Sequence, residues 1–309
     1  MNRIAVGLAA LGRPAYINLG REGALPAERT IDAMKAATHA VLDDAYAAGV
    51  RWIDVARSYG HSEEFLSGWL TERAPDDVTV SSKWGYRYVG GWRLDAEVHE
   101  VKEHTELRFR EQWAETRALL GNRVSLYQVH SLTVDSPLFT DARLIGALAG
   151  LSADGVEVGF STSGPAQADA IREAFALEVD GQPVFSAVQS TWNVLEPSAG
   201  TALAEAHAAG KRVLVKETLA NGRLAVEPPS ALARIAAAHG VGADAVAVAA
   251  VLARDWADVA VLGPASPAQL AANLRAAALR LTEEEQAELA DLAEDPVGYW
   301  RHRSHLGWD

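Results

Sequence analysis

Four side chains in this 309-residue chain could together move a proton to or from an oxygen: Asp54, Tyr59, Lys83 and His130. Reducing a carbonyl takes a hydride from a cofactor and a proton for the developing alkoxide. A phenol is a poor acid at neutral pH, with an ordinary pKa of about 10. An ammonium buried beside it favours the phenolate and lowers that pKa, and a carboxylate keeps the ammonium charged against desolvation. An imidazole on the other side can donate a hydrogen bond to the substrate oxygen and fix its direction. Each residue alone has an ordinary explanation. An aspartate that ends a strand often caps a helix or forms a turn, and a lone strand-end histidine is usually a hydrogen-bonded core residue. It is the set that solves a chemical problem.

Such a set has to be brought to one place by the elements that carry it. Eight β-rich runs alternate with longer helical patterns: IAVGL from Ile4, VRWIDV from Val50, VTVSS from Val78, LYQVH from Leu126, VEVGFS from Val156, VFSAVQ from Val184, RVLVK from Arg212 and VAVLG from Val259. Most are near-continuous apolar segments, as parallel strands covered on both faces must be. Amphipathic stretches fall between them at Ala33 to Ala48, Glu63 to Glu72, Val98 to Leu120, Ala166 to Phe175, Ala199 to Ala208 and Leu232 to Ala238. A further helix opens at Thr282, which with Glu285 has the form of a capping box. Strand–helix alternation implies right-handed crossovers and a parallel sheet, and eight repeats favour a closed (β/α)8 TIM barrel. An open doubly wound sheet would place Gly-x-Gly-x-x-Gly after its first strand, where Gly7 and Gly12 have the wrong spacing. No linker or repeat divides the chain, so residues 1–309 read as one α/β domain. Asp54, Lys83 and His130 end the second, third and fourth strands and Tyr59 follows Asp54, which places all four on the catalytic rim of such a barrel.

Composition narrows the partners. Acidic residues number 41 against 28 basic, a net charge of −13 that disfavours nucleic acid and anionic membranes. There are no cysteines, which removes disulfides, thiolate metal sites and cysteine nucleophiles and suits a cytoplasmic protein. The N-terminal MNRIAVGLAALGRP reads as a buried first strand rather than a signal peptide. No run approaches the ~18 apolar residues of a membrane span.

WIDVARSYGHSEEFL, from Trp52 to Leu66, closely resembles the aldo-keto reductase signature D-x-A-x-x-Y-G-x-S-E. SSKWG around Lys83 and LYQVHS around His130 resemble that family's next two catalytic segments, in the same order. The resemblance runs from Val6-Gly7-Leu8 to Asn273, and its most specific part is the step from Asp54 to Tyr59 followed by Gly-x-Ser-Glu. It implies an oxidoreductase that exchanges hydride between NADP(H) or NAD(H) and an aldehyde, ketone or alcohol, with Tyr59 as proton donor.

The same resemblance assigns the cofactor side. Ser161 stands where the family has the serine of a Ser-Asn pair, with Thr162 in place of the asparagine, and Gln189 completes the nicotinamide carboxamide contacts. After the seventh strand the family's stacking aromatic is replaced by Lys216, and its pyrophosphate loop keeps Leu219 and Gly222. GPASPAQLAANL places Gly263, Ser266, Gln269 and Asn273 at the adenosine-phosphate positions, beside a helix N-terminus that would offer free N–H groups. Basic residues for a 2′-phosphate are lacking at Gly263 and Gln269, with Arg275 and Arg223 the nearest substitutes. Trp84 and Tyr86 are expected as pocket walls, Gly85 to Arg93 as a loop over the pocket, and the Glu-rich stretch after it as a solvated helix face. The C-terminal YWRHRSHLGWD is a second covering segment; His302 and His305 have a spacing that metal ligands on a helix can use, and a frayed tail is the favoured reading. Two rival readings exist: a metal-dependent hydrolase, which lacks the His-x-His cluster it needs, and a non-catalytic nucleotide-binding barrel acting as a sensor or regulatory subunit.

Overall fold

Near-continuous apolar runs cannot lie on a half-solvated sheet; they need cover on both faces. The computed structural model, which describes residues 1–308, supplies that cover by closing them into a barrel. The chain runs β1 (Ile4–Gly7), α1 (Ile31–Ala47), β2 (Trp52–Asp54), α2 (Ser62–Arg73), β3 (Thr79–Trp84), a hairpin of β4 (Tyr86–Tyr88) and β5 (Glu100–Lys102), α3 (Glu106–Leu120) and β6 (Val124–Leu132). It continues with α4 (Ala142–Ala153), β7 (Glu157–Thr162), α5 (Gln167–Phe175), a short hairpin of β8 (Glu178–Val179) and β9 (Gln182–Pro183), β10 (Ala187–Thr191), α6 (Gly200–Ala208) and β11 (Arg212–Lys216). The last part is α7 (Arg223–Val226), α8 (Ser230–His239), α9 (Ala243–Leu252), β12 (Val259–Leu262), α10 (Pro267–Leu274), α11 (Glu283–Ala290) and α12 (Pro296–Ser304). Strands β1, β2, β3, β6, β7, β10, β11 and β12 pair in parallel in that order and return to β1. This is the (β/α)8 barrel.

The register levels the site. Gly7, Asp54 and Ser81 stand abreast on β1, β2 and β3, and Lys83 is one inward position further along β3, beside Gln128. Below them Ala5, Leu126, Ala187, Leu214, Val259 and Val261, all strand residues, form a buried cluster of their own that fills the barrel. The main core lies between strands and helices, with Trp69, Phe160 and Phe185 among its largest members. Among the described residues no single helix is long and apolar enough to cross a membrane.

Two expectations need correction. The helix expected over 98–120 begins only at Glu106, where the Thr105 hydroxyl accepts from the Arg108 N–H at 3.2 Å; Glu100–Lys102 instead pairs antiparallel with Tyr86–Tyr88. The C-terminal stretch is not frayed. Asp295 caps α12 and Pro296 opens it, so His302 sits on an ordered helix. Helix α9 carries no amphipathic signal in the sequence, because every residue from Ala245 to Val251 is buried and it has no polar face to show.

Candidate active site

Tyr59 reaches the rim because two glycines let backbones touch. A Cβ on Gly12 would stand 2.2 Å from the Tyr59 carbonyl oxygen, and one on Gly60 would stand 2.4 Å from the Gly12 oxygen. The Gly12 carbonyl accepts from the His61 N–H at 2.7 Å, so the turn that carries Tyr59 is pinned to the loop after β1. His130 emerges where the β6–β7 register slips between Val129 and Leu132, the kind of irregularity that re-aims a side chain. Ser131, next to it, is held at φ 53° and its N–H donates to Ser161 Oγ at 2.8 Å.

These residues open onto one cavity of about 330 Å³. Asp54, Tyr59 and His130 are in its wall, and Lys83 lies beneath, bonded to Asp54 and donating to the Val55 carbonyl at 3.1 Å. Asp54 also accepts from Ser81 at 2.7 Å and from the Gln189 amide at 3.1 Å, across the barrel. The Lys83 ammonium is 4.9 Å from the centre of the Tyr59 ring, and the His130 ring meets that ring edge-on at 5.4 Å.

Electrostatics set the protonation states. Burial first, then the Asp54 charge, push the Tyr59 phenol well above its ordinary value; only the Arg13 charge among the main influences pulls it down. Asp54, whose charge favours the protonated phenol, is itself paired with the Lys83 ammonium. Burial, then the charges of Lys83 and Arg13, drive the His130 imidazole well below its usual range, so the ring is neutral. Its Nδ1 lies 3.2 Å from Ser58 Oγ, and the ring proton lies on Nε2 when Ser58 is the donor of that bond.

Two further ion pairs flank the cavity. Arg13 Nη1 bonds Glu100 Oε1 at 2.7 Å, and Arg303 of α12 bonds Glu217 at 2.5 Å. Lys216 donates to Thr191 Oγ1 at 2.8 Å and lies 3.6 Å from Glu217. Burial lowers Lys216 to about 8 against the pull of Glu217. Glu217 is lowered to about 2: burial opposes its ionisation, but Arg303 and Lys216 outweigh it. Glu217, Ala220 and Asn221 all hold positive φ, a cluster of backbone strain in the loop after β11.

Of the residues assigned by resemblance, Gln189, Lys216, Leu219, Gly222 and Gly263 line the cavity, as does Tyr86. Others face elsewhere. Trp84 is fully buried against Phe109 and His104, behind the site, and is no pocket wall. Ser161 is occupied by Ser131, and Thr162 points away from the barrel axis to Ser190 at 2.8 Å; Ser163 is the residue of that segment in the wall. Ser266 caps α10, Gln269 bonds the Ala265 N–H and the Gly20 carbonyl, and Asn273 donates to Asp244 at 2.7 Å. Arg223 pairs with Glu294 and Arg275 donates to the Gly240 carbonyl. Sequence reasoning missed Arg13, Tyr16, Glu100 and Glu217 and placed Arg303 and Trp308 only within a covering segment; all six are in the wall. Only the unusual Lys216-Glu217 pair signalled a charged neighbour there.

A closed parallel barrel with a phenol, a paired ammonium and a neutral imidazole at one mouth defines an oxidoreductase barrel acting on small carbonyl or alcohol compounds. The chain belongs to the aldo/keto reductase family, whose model matches residues 3–294, and is an NAD(P)H-dependent oxidoreductase. It is 29% identical over 288 residues to a D-threo-aldose 1-dehydrogenase of Pseudomonas sp., covering 82% of this chain and 86% of that protein. Its fold is similar to the glycerol dehydrogenase AKR11B4 from Gluconobacter oxydans, with a TM-score of 0.67, 25% identity and coverage of 94% and 90%. The aldo-keto reductase AKR11C1 from Bacillus halodurans, in its holo form, has a TM-score of 0.71 at 20% identity, covering 96% of this chain and 93% of that one; this likeness is of fold. The residues here fit a nicotinamide cofactor. The cavity runs from Tyr59 to Gly222 and Gly263, nothing stands within 4 Å of where a Gly263 Cβ would be, and the buried Asn221 Oδ1 in that wall lacks a partner.

Proposed function

We propose that the chain, acting as one catalytic domain, interconverts a small hydroxylated aldehyde or aldose and its oxidised or reduced counterpart, with Tyr59 moving the proton. A bound nicotinamide cofactor supplies or accepts the hydride. The observation that carries the reading is the bracketing of Tyr59, which stands between the Lys83 ammonium and the neutral His130 ring in the cavity wall. In reduction the substrate oxygen accepts a hydrogen bond from His130 Nε2, which fixes its direction. As negative charge grows on that oxygen, the Tyr59 O–H bond breaks and the alcohol O–H bond forms. Lys83, held by Asp54, then stabilises the phenolate left behind. In oxidation the same groups run backward and the phenolate takes the hydroxyl proton. Gln189, Lys216, Leu219, Gly222 and Gly263 would hold the cofactor, with Ser163 where Ser161 and Thr162 had been expected.

The aldose class is favoured by the name of the Pseudomonas relative and by a wall of polar and aromatic side chains. Turnover of aldehydes, ketones and aldoses with NADPH, NADH, NADP and NAD is the test. Cofactor-dependent conversion of at least one class is expected; tight cofactor binding with no turnover of any would instead favour a nucleotide-binding sensor.

A further inference from the structure

The Arg13–Glu100 pair is neither the proton donor nor among the residues assigned to the cofactor, yet it lines the same cavity. Both residues come from segments laid over the barrel mouth: Arg13 from the loop after β1 and Glu100 from β5 of the hairpin. Arg13 is 1% exposed and its guanidinium sits among the rings of Tyr16, Trp308 and Tyr59, at 4.7, 4.9 and 5.3 Å. Behind it, Arg21 donates to the carbonyls of Ala10, Arg13 and Pro14 and fixes the loop. A guanidinium enclosed in this way holds one position. Its Nη1 donates to the Ser58 carbonyl at 3.1 Å and to Glu100 Oε1 at 2.7 Å. Its buried Nε makes no hydrogen bond, so the group is under-satisfied as it stands.

What Arg13 holds is a carboxylate with Oε1 engaged, while Oε2 accepts no hydrogen bond among the described residues. A fixed carboxylate accepts strongly from hydroxyl groups and has nothing to offer a plain alkyl chain. Glu100 is near enough to the chemistry for its charge to act on both Tyr59 and Tyr86. The charges around the mouth are paired, with Arg13 on Glu100, Arg303 on Glu217 and Lys83 on Asp54. An anionic substrate would meet three carboxylates in the wall, Asp54, Glu100 and Glu217, and a cationic one would meet Arg13, Arg303 and Lys216. Neutral hydroxyls suit this wall better, and the rings of Tyr16, Tyr86 and Trp308 offer apolar faces to the C–H side of a polyol.

We infer that Glu100, held in place by Arg13, selects substrates carrying neutral hydroxyl groups next to the reacting carbonyl. The inference rests on the proposed oxidoreductase reading and adds the residue that confers the selection. Glyceraldehyde and propanal test it, because they share a three-carbon chain and differ by two hydroxyls. The readout is the ratio of kcat/KM for glyceraldehyde to that for propanal in wild type, Glu100→Ala and Glu100→Gln. Wild type should favour glyceraldehyde. The ratio should fall roughly 10–100-fold in Glu100→Ala, the loss expected of hydrogen bonds to a charged acceptor. Glu100→Gln keeps an acceptor oxygen without the charge and should fall between; it also carries the test if the alanine variant does not fold. An unchanged ratio, with both substrates slowed alike, would overturn the inference by showing that Glu100 acts only through the rings beside Arg13. A wild type active on both aldehydes but indifferent to the hydroxyls would overturn it too, leaving the oxidoreductase reading intact. A wild type inert toward every aldehyde with either cofactor would overturn both.

Discussion

A buried phenol keeps its proton, and that decides how Tyr59 can act. With its pKa well above the ordinary value, Tyr59 is already the acid that reduction needs, while oxidation needs the rarer phenolate. Neutral His130 adds no titration of its own near pH 7. Between about pH 6 and 8, kcat for reduction should therefore stay within about twofold, while kcat for oxidation climbs toward tenfold per unit where chemistry limits the rate. Equal slopes in both directions would assign the proton to another group. Lys83→Met leaves Asp54 buried without its cation, and the loss of that pair should destabilise the fold by about 3 kcal/mol, read by urea unfolding. The four residues proposed for proton transfer were legible as a set because each ends a strand or follows one at a fixed step. Trp84 and Thr162 misled for one reason. Side chains alternate along a strand, so Lys83 facing the barrel interior sends Trp84 outward, and Ser161 facing in sends Thr162 out. That alternation was readable in advance.

Among the elements, α12 was legible as part of a covering segment but not as an ordered helix with a fixed ion pair. Its apolar content is low and the spacing of His302 and His305 suggests a tail, but its Arg303 reaches back across the chain to Glu217. No local pattern encodes a pairing between residues so far apart. Glu217 is the only carboxylate paired with either partly buried cation, Lys216 or Arg303, among the described residues. Glu217→Gln should cost about 3 kcal/mol at neutral pH, because two partly buried cations lose their counter-charge. The linkage has a definite sign. Glu217 goes from an ordinary 4.5 to about 2 on folding, so its stabilisation is complete above 4.5 and is lost as pH falls toward 2. Unfolding at about pH 7 and pH 3 should show the gap between wild type and variant shrinking in acid. A constant gap would mean the carboxylate is not held as described. The β4–β5 hairpin was hidden in the same way, its Glu-rich stretch reading as a helix face until Thr105 capped the true start.

At the scale of the whole molecule, the eight-strand barrel was legible from end to end, because apolar runs spaced by helical patterns leave few alternatives. Cofactor choice was less so. Arg223 and Arg275, the nearest candidates for a 2′-phosphate, are engaged by Glu294 and the Gly240 carbonyl. Discrimination between NADPH and NADH should therefore be below about a hundredfold in Kd, since only a charge-assisted pair reads that phosphate strongly. Fluorescence titration of each cofactor checks this, and a larger preference would require one of these arginines to leave its partner. The central claim is that Tyr59 transfers the proton, and Tyr59→Phe tests it most directly by keeping the ring and removing the hydroxyl. In the reduction of a good substrate under conditions where chemistry limits the rate, kcat should drop on the order of 10³-fold with cofactor affinity and melting temperature close to wild type. Retention of more than roughly a tenth of wild-type turnover would contradict the account, because positioned acid catalysis contributes far more than that.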